Sequence, residues 1–190
     1  MSIGHLVLRA VPGGQVPTLH TLIQTLGEIG LIGAPYRTKE NRFLAGDRFL
    51  QLITFLGCSP YLQLEPPPGG GDNFCHVHLS EPSEQPGFLY GSNTRPPRCP
   101  NCGQPFTEWK IIVERWWSRD ETSPVCTGCG HAQNPMDWNW RRKAGFSRLF
   151  IGIPEVFPGE AVPVPDLLTT LQGDEAEWDY FYVQDPTRLM

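Results

Sequence analysis

The sequence predicts an α+β fold, a largely antiparallel or mixed sheet with helices on one face, interrupted by an inserted, cysteine-bearing β-hairpin. Three observations lead there. Short apolar stretches alternate with helical ones in the order β, α, α, β, β, insert, β, α, β. Two Cys-x-x-Cys pairs stand near the middle of the chain. Finally, 20 glycines and 20 prolines among 190 residues cut every apolar run short, so the fold is rich in turns. A chain of this length suits one ordinary domain carrying a small module.

Ile3 to Ala10 reads as a strand closed by the turn cluster Pro12-Gly13-Gly14. Val16, Leu19, Leu22, Ile23, Leu26 and Ile29 then fall on one helical face, with Pro17 in the first turn and Gly30 as the stop. From Asp47, a good cap, the apolar run Phe49 to Leu56 predicts a buried helix ended by Gly57. Tyr61 to Glu65 and Phe74 to Leu79 have strand chemistry. The proline and glycine run at 66–72 can continue neither, so a wide hairpin is expected. Phe146 to Ile153 predicts a strand, Pro165 to Gln172 a helix stopped by Gly173, and Trp178 to Val183 a last aromatic strand. Residues 1–93 and 145–190 are therefore read as one discontinuous α+β domain, and residues 94–144 as its insert.

The insert carries the chemistry. Cys99-Pro100-Asn101-Cys102-Gly103 and Cys126-Thr127-Gly128-Cys129-Gly130 are both knuckles. Two thiolates three positions apart grip one ion only where the chain turns sharply, and the following glycines permit that turn. Cys99, Cys102, Cys126 and Cys129 together would complete a tetrahedral, closed and hence structural shell. Over residues 97–132 the chain resembles the zinc-ribbon family. The resemblance implies a zinc ion held by these four cysteines on a β-hairpin, and a module that holds protein or nucleic-acid partners. Iron in the same four-thiolate site is the alternative metal. His131 could compete as a ligand, but four cysteines suffice.

Between the knuckles, Trp109 to Trp117 alternates like a strand, with Trp109, Ile111, Val113, Arg115 and Trp117 on one face and Trp116 on the other. Trp138 and Trp140 follow, with Arg141 and Arg142 next to them. A small ribbon has little interior for so many indoles. Either they dock the insert on its own domain, or they contact a partner, since Trp and Arg are enriched at interface hot spots. The partner face so predicted comprises Trp109, Arg115, Trp116, Trp117, Trp138, Trp140, Arg141 and Arg142.

Charge is uneven. Net charge is −5, with sums of −2 over 1–93, +4 over 94–148 and −7 over 149–190. The basic segment, with Arg95, Arg98, Arg119, Lys143 and Arg148, could meet phosphates while tryptophans stack on unpaired bases. Four thiolates on a divalent ion would offset much of that charge. The acidic aromatic end, Asp174 to Tyr182, reads as a strand with a charged entry or as a face for a basic protein.

An enzyme reading rests on His76 and His78, two apart on an expected strand and so on one face. Catalysis by a metal there would need a third ligand, for which only Asp72 or Glu81 stand near in sequence. Glycines 69–71 open no Gly-Lys-Ser/Thr phosphate loop, and no Gly-x-Ser-x-Gly elbow occurs. Cys58 and Cys75 fit small core positions. No basic start or apolar leader marks export, and no run of about 18 apolar residues could span a bilayer. The expectation is a soluble, cytoplasmic, non-catalytic zinc protein that binds a protein partner through the ribbon. A single-strand nucleic-acid binder and an enzyme near His76 and His78 are the alternatives.

Overall fold

Strand β1 (Gly4–Ala10) alternates His5, Val7 and Arg9 with Leu6, Leu8 and Ala10, and this period of two sends the two sets to opposite faces of a sheet. The computed structural model describes residues 3–37, 40–57, 62–118, 123–172 and 176–189. Among these the chain continues through α1 (Leu19–Glu28), β2 (Ile32–Arg37), β3 (Arg42–Ala45), α2 (Phe49–Leu52), β4 (Ile53–Phe55), β5 (Val77–Leu79) and β6 (Gly87–Tyr90). It goes on with α3 (Trp109–Trp117), β7 (Ala144–Ser147), β8 (Phe150–Pro154), β9 (Ala161–Pro163), α4 (Pro165–Gln172), β10 (Trp178–Gln184) and β11 (Thr187–Leu189). A six-stranded sheet has the order β10-β1-β8-β5-β3-β2, a three-stranded one β11-β6-β7, and β4 pairs with β9. Every strand pairing is antiparallel. The class is the α+β one expected.

On one face of the large sheet Leu6 lies opposite Ile153 and Leu8 opposite Ile151. These four are fully buried together with Leu26 of α1, Phe49 of α2 and Leu167 of α4 in one apolar cluster. Burial of each such side chain is worth about 1.5–3 kcal/mol, so three helices are held to one face by aliphatic packing. Helix α1 begins at the Thr18 cap, whose hydroxyl accepts the Thr21 amide. It stops at Gly30, in the left-handed region at φ 77°. The opposite face carries a smaller cluster of Val7, Phe150, Phe181 and Val183 against Leu89 of β6.

Four local expectations are corrected. The run after Asp47 is helical only at Phe49–Leu52 and then turns into β4. Ile53 and Phe55 pair there with Pro163 and Ala161, and β-branched and aromatic side chains favour that pairing over a further helical turn. The hairpin of 61–65 with 74–79 does not form as a ladder. The Cys75 amide does reach the Gln63 carbonyl (2.8 Å), but β5 is only Val77–Leu79 and pairs with β3 and β8. The strand at 146–153 is divided between two sheets at Arg148-Leu149, where the Ser147 hydroxyl bonds the carbonyls of Ala10 and Leu149. The helix α3 replaces the strand expected at 109–117. Cys58, Tyr61, Arg119, Gly173, Asp174 and Glu175 lie outside the described residues. Cys75 is fully buried, as a small core residue should be, and burial, aided by Glu155, pushes its thiol up to about 12.

Candidate metal centre

The two cysteine pairs build the same local shape. Isolated bridges join Arg98 to Pro105 and Val125 to Ala132, so each pair sits in a pinched turn. In the first, the Cys99 amide bonds the Gln104 carbonyl (2.9 Å) and the Gly103 amide the Cys99 carbonyl (2.9 Å). In the second, the Cys126 amide bonds the His131 carbonyl (3.0 Å) and the Gly130 amide the Cys126 carbonyl (2.8 Å). Gly103 at φ 76° and Gly130 at φ 70° adopt the left-handed backbone that the turn demands. The first cysteine of each pair is buried and the second exposed.

All four sulfurs lie within 4.8 Å of one another. Cys99 Sγ is 3.8 Å from Cys129 Sγ, and Cys102 Sγ is 3.7 Å from Cys126 Sγ. A tetrahedral ion with metal–sulfur bonds of about 2.3 Å needs sulfurs separated by about 3.8 Å. The donor set therefore fits one metal ion. The Gln133 side-chain amide donates to Cys99 Sγ (2.9 Å), and the Cys102 amide approaches the same sulfur (3.5 Å). Such outer hydrogen bonds orient a ligand and stabilise its thiolate.

The thiols respond unequally to this crowding. Burial pushes Cys99 up, but the Cys102 and Asn101 amides and Gln133 outweigh it and bring it down to about 6. At Cys102 the Gln104 amide favours the thiolate, yet burial and the thiols of Cys99, Cys126 and Cys129 prevail and push it up to about 12. Cys129 is lowered by the Asn101 side chain and then the His131 amide. Four close sulfurs cannot all ionise without a cation among them, which is the service a bound metal performs. Sequence reasoning missed Gln133 and Asn101. Both are ordinary polar residues until the knuckles meet.

Among the described residues no β-hairpin joins the knuckles, and the helix α3 lies between them. Trp109, Ile112, Val113 and Trp116 recur at three-and-four spacing, and α3 turns that stripe inward. Trp109 and Val113 are buried, while Ile112, Trp116 and Trp117 are partly so. Alternation and helical period coexist in this stretch. The helical one prevails because its face meets an aromatic cluster that no strand face could match. Phe88 of β6 is that cluster's centre, with Phe146 at 4.3 Å, Trp140 at 4.8 Å and Trp109 at 6.0 Å between ring centroids. Trp138 stacks on Phe106 at 4.0 Å. Cys99 and Cys126 belong to the same buried cluster, so the sulfur site and the indoles share one interior.

Of the residues expected to form a partner face, Trp109, Trp138 and Trp140 are thus buried, and Trp116 and Trp117 are half-buried. Arg115, Arg141 and Arg142 are exposed. Several basic residues are engaged within the fold. Arg98 donates to the Gly103 carbonyl, Arg141 to that of Pro96 and Arg148 to that of Ser83. Arg142 bonds the Tyr180 hydroxyl and lies over its ring at 4.2 Å. His131 is exposed beside the second knuckle. His76 is buried, with Nδ1 at 2.9 Å from the Phe74 carbonyl, and His78 is exposed. Both line a cavity away from the sulfurs, and among the described residues the four cysteines are the one group of three or more His, Cys, Asp or Glu side chains with ligand atoms close enough to share an ion.

Compared with known proteins, the chain matches no family model, no curated protein and no solved structure. Among the described residues no helix is long and apolar enough to cross a membrane.

Proposed function

We propose that the chain is a non-catalytic, zinc-containing interaction protein whose cysteine module presents a contact surface to a protein partner. The observation that carries the zinc reading is the set of sulfur separations, 3.7 and 3.8 Å, on two knuckles of like construction. Zinc suits a closed four-thiolate shell that stabilises a fold without redox chemistry. Ile111 and Val125, 46% and 59% exposed, are two of the four large apolar side chains open to solvent among the described residues, and both belong to the module. Arg115, exposed one helical turn beyond Ile111, extends that surface, and the half-buried Trp116 and Trp117 border it. The nucleic-acid alternative is weakened because three tryptophans are unavailable for stacking and several arginines serve backbone carbonyls instead of phosphates.

Elemental analysis of the purified chain should give one zinc per molecule. Chemical crosslinking in native lysate, with and without nuclease, should give a protein adduct that survives the nuclease. Ile111→Asp combined with Arg115→Glu should lose the adduct and keep the metal. Capture that vanishes with nuclease would favour the single-strand binder, and no adduct at all would remove the interaction reading.

A further inference from the structure

The second face of the six-stranded sheet has a gap in it. Cross-strand register puts Phe181, Val7, Gly152, His78 and Arg42 in one row over β10, β1, β8, β5 and β3. Val183, His5 and Pro154 form the row beside it. Residues in register share a face, so each position of these rows should carry a side chain outward, and at Gly152 none exists. Nothing in the backbone requires glycine there. A Cβ at Gly152 would meet only the His78 carbonyl oxygen, at 3.8 Å. Glycine in a strand interior costs stability and marks a place where something else approaches the backbone.

Two adjoining cavities open at this face and share His5 and His78. One, of about 250 Å³, has Gly152 in its floor, Val7, Leu89, Phe150 and Val183 as apolar walls, and Arg188 at its rim. Among the described residues no acidic side chain lines it. Arg188 Nε is buried without a hydrogen-bond partner, and the guanidinium lies 5.6 Å over the Phe150 ring. The other, of about 240 Å³, is polar and contains His76 and the Arg42–Asp72 ion pair (2.7 Å).

We infer that the cleft over Gly152 binds a small organic anion, its apolar body seated against Val7 and Phe150 and its carboxylate or phosphate met by Arg188, His5 and His78. At about 250 Å³ the cleft has room for a single aromatic ring, and the missing side chain at Gly152 leaves its floor open. Arg188 supplies the fixed positive charge. Burial brings His5 down to about 4, and desolvation at the cleft, with Arg42 next, lowers His78 from its usual value. His5 is faced by His76, His78 and Asp185, and His78 by Arg42, His76, Glu40 and Arg188. An incoming anion favours their protonated forms, so binding takes up protons and tightens as pH falls. This cleft is separate from the cysteine module and does not depend on the zinc reading.

The test titrates benzoate, phenyl phosphate and uncharged benzyl alcohol into the metal-loaded chain and follows backbone amide shifts by NMR. Benzoate should bind with a dissociation constant in about the millimolar range and move the amides of Val7, Phe150, Gly152 and His78, and phenyl phosphate should do the same if the anion's source is a phosphate ester. Gly152→Val should abolish these shifts. Arg188→Gln should weaken benzoate about tenfold while leaving the feeble binding of benzyl alcohol unchanged. If Gly152→Val does not fold, Gly152→Ala, which should weaken binding without abolishing it, and Arg188→Gln decide the matter. The inference is overturned if neither anion perturbs the cleft at about 20 mM, if the shifts persist in the glycine variants, or if benzyl alcohol binds as well as benzoate.

Discussion

The large sheet and the cysteine module solve the problem of a stable interior in different ways. The sheet buries leucine, isoleucine and valine between strands and three helices, with antiparallel ladders satisfying the backbone. The module has one nine-residue helix, two pinched turns and a cluster of aromatic rings that includes two of its own cysteines. So little chain cannot bury enough apolar surface by itself. Two anchors are at hand: the four-cysteine cluster, which could hold a metal ion within the module, and the Phe88–Phe146 platform lent by β6 and β7. The module should therefore fail in ways the sheet does not.

The largest effect should come from Cys126→Ser. Structural four-ligand zinc sites supply on the order of 10 kcal/mol of coupled folding energy. The variant should lose its metal by elemental analysis and shift tryptophan emission to the red, while far-ultraviolet circular dichroism keeps the strand signal. Loss of both signals together would mean that the two regions are a single cooperative unit. Next, Phe88→Ala removes the platform's central ring and should cost about 3–5 kcal/mol, read in urea as an earlier transition by tryptophan emission. Leu8→Ala, at about 2–5 kcal/mol, should instead bring forward the far-ultraviolet transition.

Acid should single out the sheet. Burial first, and then His76 and His78, lower the His5 pKa from 6.5 to about 4, against the opposing pull of the Ile3 backbone and Asp185. Between those values the unfolded chain takes up a proton that the folded one refuses. Stability present above pH 6.5 is therefore lost, by about 3 kcal/mol, as pH falls toward 4. His5→Gln should flatten this decline. Comparing urea midpoints of the two chains isolates the His5 share, because acid release of metal is common to both.

The smallest effect concerns the turn Trp140 to Lys143, closed by a bond from the Lys143 amide to the Trp140 carbonyl (3.1 Å). Arg141 and Arg142 both sit at positive φ, 51° and 54°, where a two-residue turn prefers Asn-Gly. Arg141→Asn should stabilise the module by about 0.5 kcal/mol, seen as a small rise in the tryptophan melting midpoint. No change would show that the Arg141 bond to the Pro96 carbonyl offsets the strain.

The elements that were legible are those whose signals are local and unopposed. Helix α1 announces itself by one apolar stripe, a proline in its first turn and a glycine stop. Strands β1 and β10 do so by alternation, and α4 by its proline start. Strands β2, β3, β6, β9 and β11 were not foreseen. They are short, several contain glycine or proline, and they exist because a neighbouring edge was there to pair with. At 109–117 two periods were present in the same nine residues, and the aromatic platform chose between them.

What this sequence determined alone is the sulfur site. Two cysteines three apart with a glycine behind them dictate a turn that points both sulfurs one way, and two such turns have one common use. Where the indoles go, and the gap that Gly152 leaves between His5, His78 and Arg188, depend on the folded whole. Those residues are brought together by strand register across almost the whole length of the chain, and register is set by the packing of the complete core, which no short window of sequence contains.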